Sequence, residues 1–226
     1  SWTLLDTTDI FFEIYTALAM DPQTPSILYG TAGHVYKTTD GGLTWNSFSS
    51  GLPTGDSARL LAIDPQTPAT VYTITNSNSV YKTINGGLSW SKLSLTDDLA
   101  HAGDLSILLV DPKTANTLYL LTRAGGVWKS VNGGANWNHA DTGLANTFLY
   151  GLAIDPKNPS ILYAAGEGYE GGVFKTTNGG GSWSAASSGL YDPNPNWLKH
   201  ADARAIAIDP QTPSSLYVGL WDHHSI

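Results

Sequence analysis

The groups best equipped for chemistry crowd into three short stretches. "LYDPNPNWLKHADAR" (190–204) carries Trp197, Lys199, His200, Asp202 and Arg204, and "WDHHS" (221–225) carries Trp221, Asp222 and His223. Upstream, "GEGYEGG" (166–172) adds Glu167, Tyr169 and Glu170. Imidazoles and carboxylates can move protons or hold a cation, while indole and phenol rings stack on sugars and peptides. Adjacent histidines such as His223 and His224 point to opposite faces of a strand and make a poor ligand pair, so no metal or cofactor is expected. No Gly-x-Ser-x-Gly supports a nucleophilic triad. The chain has only three Glu (Glu13, Glu167, Glu170), a thin supply for a glycosidase that needs two facing carboxylates. It has only three Arg, and Arg59 and Arg204 stand at one distance from a landmark, five residues ahead of an Asp-Pro. That places both at the same inner-strand position of a repeat.

The repeat is what must position these groups. Asp-Pro recurs at Asp21, Asp64, Asp111, Asp155 and Asp209, each after an apolar run such as "LLAIDP" or "AIAIDP". A second landmark, "KTTDGGLTWNSF" (37–48), returns as "KTINGGLSWSKL", "KSVNGGANWNHA" and "KTTNGGGSWSAA", with its tryptophan at Trp45, Trp90, Trp137 and Trp183. Runs of β-branched and aromatic residues between Gly, Pro and Asn punctuation are strands, and Pro ends the first of them by removing a donor. Four such strands in every ~46 residues, repeated, are the pattern of β-propeller blades. The spacing predicts an all-β chain of about five four-stranded antiparallel blades, at roughly 17–48, 58–93, 105–140, 149–186 and 203–226. "SWTLL" (1–5) matches the outer strand of a blade and is expected to complete the last one. Aligning Ile226 with Val35 and Ser1 with Thr44 leaves positions 36–43 without a counterpart, so two readings stay open. One is a single five-bladed domain over 1–226 missing a segment; the other is five units cut from a larger propeller protein.

The four recurrences match the Asp-box, or BNR repeat, Ser/Thr-x-Asp-x-Gly-x-Thr-Trp. The matching positions are Thr38, Asp40, Gly42, Thr44 and Trp45; Thr83, Asn85, Gly87, Ser89 and Trp90; Ser130, Asn132, Gly134, Asn136 and Trp137; and Thr176, Asn178, Gly180, Ser182 and Trp183. Asn replaces Asp in three boxes, and Asn136 replaces Thr in one. The chain therefore resembles the Asp-box propeller superfamily, which includes sialidases, xyloglucanases, sortilin-type receptors and photosystem assembly factors. In these families the box lies at the outer rim away from ligand, so the resemblance implies a structural role for it. The local physics agrees. The Asp or Asn side chain can accept N–H groups of its own turn, glycine supplies positive φ, and Trp fills the space between sheets.

Composition narrows the partners. Nineteen Asp and Glu against eleven Lys and Arg give a net charge of −8, with no basic run, which argues against nucleic acid. No apolar run approaches the ~18 residues of a membrane span, so membrane insertion is not expected. Without cysteine there is neither disulfide nor thiolate chemistry.

If the boxes and Asp-Pro turns share one face, function belongs to the loops of the other. Those linking one blade to the next, 49–57, 94–104 and 140–148, read as polar connectors, whereas 187–202 is long and rich in polar and aromatic groups. The expectation is a non-catalytic scaffold binding a glycan or protein through Trp197, His200, Asp202, Arg204, Glu167, Tyr169, Glu170, Trp221, Asp222 and His223. An incomplete ring would add self-association. The alternative is a sialidase- or xyloglucanase-like glycoside hydrolase, or a fragment of one. The resemblance implies an extracellular or cell-envelope location.

Overall fold

Short apolar runs between Gly, Pro and Asn fold as antiparallel strands throughout a computed structural model that describes residues 17–123, 126–144, 148–167, 172–190 and 202–221. The chain divides into two units, Ser1–Leu95 and Thr96–Ile226. In the first, β1 (Ala17–Met20), β2 (Leu28–Ala32), β3 (His34–Thr38) and β4 (Asn46–Ser47) form one sheet in chain order. A second sheet follows from β5 (Ala58–Ile63), β6 (Val71–Thr75), β7 (Val80–Thr83) and β8 (Ser91–Lys92).

The second unit opens on one helical turn, α1 (Asp97–Ala100). The Thr96 hydroxyl caps it by accepting the Leu99 N–H at 3.4 Å, and Leu99 is fully buried. A connector was expected there; a single turn is too short to show a 3.6-residue pattern. Two further sheets follow in chain order: β9 (Leu105–Val110), β10 (Leu118–Thr122), β11 (Gly126–Ser130) and β12 (Asn138–His139), then β13 (Phe148–Ile154), β14 (Leu162–Glu167), β15 (Gly172–Thr176) and β16 (Ser184–Ala185). A pair, β17 (Asp202–Ile208) and β18 (Leu216–Trp221), begins a fifth. Each four-stranded meander is a β-propeller blade. The expected closing strand at 1–5, and residues 222–226, lie outside the described residues.

The second strand of the blade is its centre. Every residue of β6 and β10 is buried, because side chains on both faces of these strands meet neighbouring structure. The outermost strands are two exposed residues each. Each Asp-Pro turn is closed by its own carboxylate. Asp64 Oδ1 accepts the N–H groups of Gln66 at 2.9 Å and Thr67 at 3.3 Å, and Asp21, Asp111, Asp155 and Asp209 do the same two and three residues on.

The boxes do two jobs. Within a box, Asp40 Oδ1 accepts the Thr44 N–H at 2.9 Å, and Asn85, Asn132 and Asn178 accept the equivalent N–H at 3.0, 2.9 and 2.9 Å. Asn is tolerated because only the second oxygen changes role: Asp40 Oδ2 accepts the Thr44 hydroxyl, whereas Asn85 Nδ2 donates to Ser89 Oγ at 2.9 Å. Between blades of one unit, the box joins the seam. Trp90 Nε1 donates to Phe48 O and Trp183 Nε1 to Ala140 O, both at 2.7 Å. In return, Lys37 Nζ donates to Gly86 O and Lys129 Nζ to Gly179 O, both at 3.0 Å.

Candidate functional site

In each blade the first strand runs toward its Asp-Pro turn, so the start of that strand and the end of the second lie at the opposite edge from the boxes. At this edge the pairing breaks at one recurring place. The register steps from Ala58 to Leu60, from Leu105 to Ile107, from Leu149 to Gly151 and from Ala203 to Ala205. The skipped residues are Arg59, Ser106, Tyr150 and Arg204, each five positions ahead of its Asp-Pro. A β-bulge leaves one residue unpaired, bends the strand and re-aims that side chain. Four different blades thus bulge at one position and place Arg, Ser, Tyr and Arg on it.

In the first unit, Arg59 donates from Nη2 to Asn78 Oδ1 at 2.8 Å and from Nε to Thr75 O at 3.2 Å. Asn78 holds φ = 58°, a left-handed turn between β6 and β7. Beside it, Ser77 donates its N–H to Asp56 Oδ1 at 3.0 Å and its hydroxyl to Oδ2. This bulge arginine thus bonds two acceptors of its own blade.

In the second unit the same positions meet across blades. The Arg204 guanidinium lies 4.7 Å from the Tyr150 ring and 4.7 Å from the Trp221 ring. Arg123, directly after β10, stacks 5.0 Å from Tyr150 and donates from Nη2 to its hydroxyl at 3.1 Å. That hydroxyl holds the Arg123 pKa above its ordinary value. Glu167 ties the group together: Oε1 accepts the Tyr150 hydroxyl and Oε2 accepts Arg204 Nη2. The sequence is cation, ring, cation, ring, with one carboxylate clamped to its middle. Cation–π contacts are each worth about 0.5–1 kcal/mol at exposed sites. Arg123 and Trp221, at the two ends, are exposed, and Trp221 keeps 54% of its surface. Phe148, opposite Glu167 in the pairing, keeps 52%.

Of the ten candidate residues, the structure brings together Glu167, Arg204 and Trp221, with Asp202 paired to Trp221 across the strand. Trp197, His200, Tyr169, Glu170, Asp222 and His223 lie outside the described residues. Sequence reasoning missed Arg123 and Tyr150, neither of which lies in one of the three stretches singled out. Aligning the repeats on Asp-Pro would have found them. Tyr150 occupies the position of Arg59 and Arg204, and Arg123, Glu167 and Trp221 all stand twelve after their Asp. Among the described residues no three His, Asp or Glu side chains gather as a metal site, and no helix is long and apolar enough to cross a membrane.

A family profile described as photosynthesis system II assembly factor YCF48 matches residues 2–148. The chain belongs to this family. In structure it is similar to YCF48 from Cyanidioschyzon merolae, with a TM-score of 0.61 and 14% identity over 93% of this chain and 72% of that one. It is similar to a YCF48 bound to a D1 peptide, with a TM-score of 0.58 and 15% identity over 93% of this chain and 65% of that one. An ancestral GH74 enzyme gives a TM-score of 0.68 at 20% identity, over 94% of this chain and 32% of the enzyme. The chain thus spans about a third of that enzyme's length. No curated protein matches it in sequence. The YCF48-family match ends at Phe148, so the cluster straddles its boundary: Arg123 lies inside it, and Tyr150, Glu167, Arg204 and Trp221 follow.

Proposed function

We propose that this YCF48-family propeller is a non-catalytic scaffold that binds an extended protein segment on the bulged edge of its second unit. The observation that carries this reading is the stack of Arg123, Tyr150, Arg204 and Trp221, whose two inner members, Tyr150 and Arg204, stand at the same bulge in successive blades. Trp, Tyr and Arg are the residues that dominate binding energy at protein interfaces. Here they are held rigid before a partner arrives, which lowers the entropic cost of association. Support also comes from the relative bound to a D1 peptide. The likeness to a GH74 enzyme is one of fold. Glu167, the carboxylate of the cluster, has both oxygens engaged by Tyr150 and Arg204 and is poorly placed for proton transfer. The test is to screen the chain against a peptide library, a glycan array and β-glucan hydrolysis. Peptide binding that Tyr150→Ala weakens, without turnover, is the expected result. Hydrolysis, or glycan binding alone, would overturn it.

A further inference from the structure

We infer that the partner segment carries two anchors on one side of an extended chain: an acidic side chain for Arg123 and an aromatic or proline ring for Trp221. This rests on the peptide-binding reading above and adds to it the chemistry of the partner.

The stack has two unlike ends. At one, Arg123 is exposed, and its bond to Tyr150 engages only one nitrogen of a planar five-donor fork that suits a carboxylate. At the other, Trp221 is braced from within by the Arg204 guanidinium and leaves more than half its surface open. In the interior of the stack, Glu167 already neutralises Arg204 and accepts the Tyr150 hydroxyl. Recognition is thereby pushed to the two ends, one seeking negative charge and the other a flat apolar group.

Their separation sets the spacing of the partner's anchors. The three contacts along the stack are 5.0, 4.7 and 4.7 Å, so the Arg123 guanidinium and the Trp221 ring stand no more than about 14 Å apart. An extended chain advances about 3.3 Å per residue and turns alternate side chains to opposite faces. Two anchors that face the same surface within that span are therefore about two or four residues apart. Four fits a straight stack and two a bent one.

The test uses the whole chain and dye-labelled decapeptides in which Glu and Phe are separated by one to six residues, read by fluorescence anisotropy. Tightest binding is expected at a separation of two or four, with a loss of tenfold or more when either anchor is changed to Ala. Trp221→Ala should abolish the preference for Phe over Ala and leave the dependence on Glu, while Trp221→Phe should retain both. Arg123→Gln should do the converse, erasing the Glu dependence alone. Peptide binding that Tyr150→Ala weakens but that ignores spacing and Trp221→Ala would overturn the two-anchor motif and leave the peptide reading standing. Failure of every peptide to bind folded protein would overturn both, as would Trp221-dependent binding of glycans alone.

Discussion

The Arg204 guanidinium lies over the Tyr150 ring at 4.7 Å, and the two share one carboxylate, Glu167, which takes the hydroxyl of Tyr150 and the guanidinium of Arg204. Each is the bulged residue of its own blade, so the contact is a meeting of equivalent positions in consecutive repeats. The shared carboxylate makes the contact more than a chance crowding of long side chains. Removing it should loosen both partners at once.

Glu167→Gln should lower stability only modestly. The side chains of the pair are 35% and 21% exposed for Arg204 and Glu167, so solvent screens the attraction, and a loss of about 1 kcal/mol is expected. Urea denaturation measures it. The larger effect should be on order: the Tyr150 and Trp221 ring resonances should broaden or shift in NMR spectra, while those of Trp183 stay unchanged.

Two glycines separate steric need from conformational need. Gly143 holds φ = 96°, and a β-carbon there would lie 2.3 Å from Trp183 O, in the backbone of the next blade. Gly103 holds φ = 88° with nothing within 4 Å. Gly103→Ala should cost about 1–2 kcal/mol for the left-handed backbone alone. Gly143→Ala adds a clash that must move the backbone at Trp183 and should exceed it by about 1–3 kcal/mol. Equal losses in denaturation would refute the seam argument.

Tryptophan N–H groups should matter by seam. Trp183 is buried and donates to Ala140 O of the preceding blade, whereas Trp45 is half-buried and donates to Gly42 O within its own box at 3.2 Å. Trp183→Phe leaves a buried carbonyl unpaired, at a cost of about 1–3 kcal/mol beyond the lost ring area. Trp45→Phe should cost less.

Asp40 makes the first box sensitive to acid. The Thr38 hydroxyl, then the Thr44 hydroxyl and N–H, hold its carboxyl down from 3.8 to about 2. A folded value below the unfolded one means that its contribution is fully present above about pH 4 and fades as pH falls toward 2. The Asn boxes do not titrate. Asp40→Asn should therefore flatten the pH dependence of the Thr44 amide shift across that window. An unchanged profile would show that another group is responsible.

The fold was legible because its signals are local and repeated. Asp-Pro, Gly-Gly and Trp each impose a backbone or packing condition at a fixed place, and four copies in register leave one architecture. The site was legible only where a loop departed from the repeat, which drew attention to Glu167, Asp202, Arg204 and Trp221. Arg123 and Tyr150 gave no such warning, since neither lies in an unusual stretch. What joins them to the others is a shared repeat position, a bulge for Tyr150 and the end of the second strand for Arg123, and neither leaves a mark of its own in residue type. Arg59 shows the limit from the other side. It shares the position of Arg204, yet it donates to Asn78 Oδ1 and Thr75 O, a difference that residue type does not carry.

The recurring bulge also bears on how such a chain can change. Sheet pairing fixes its neighbours on either side, whereas the skipped residue itself takes no place in the register. Four blades therefore share an office with a settled address: the tenant is arginine, serine or tyrosine while the building stands. Specificity can drift one blade at a time, and a lineage can exchange what it holds without learning again how to fold.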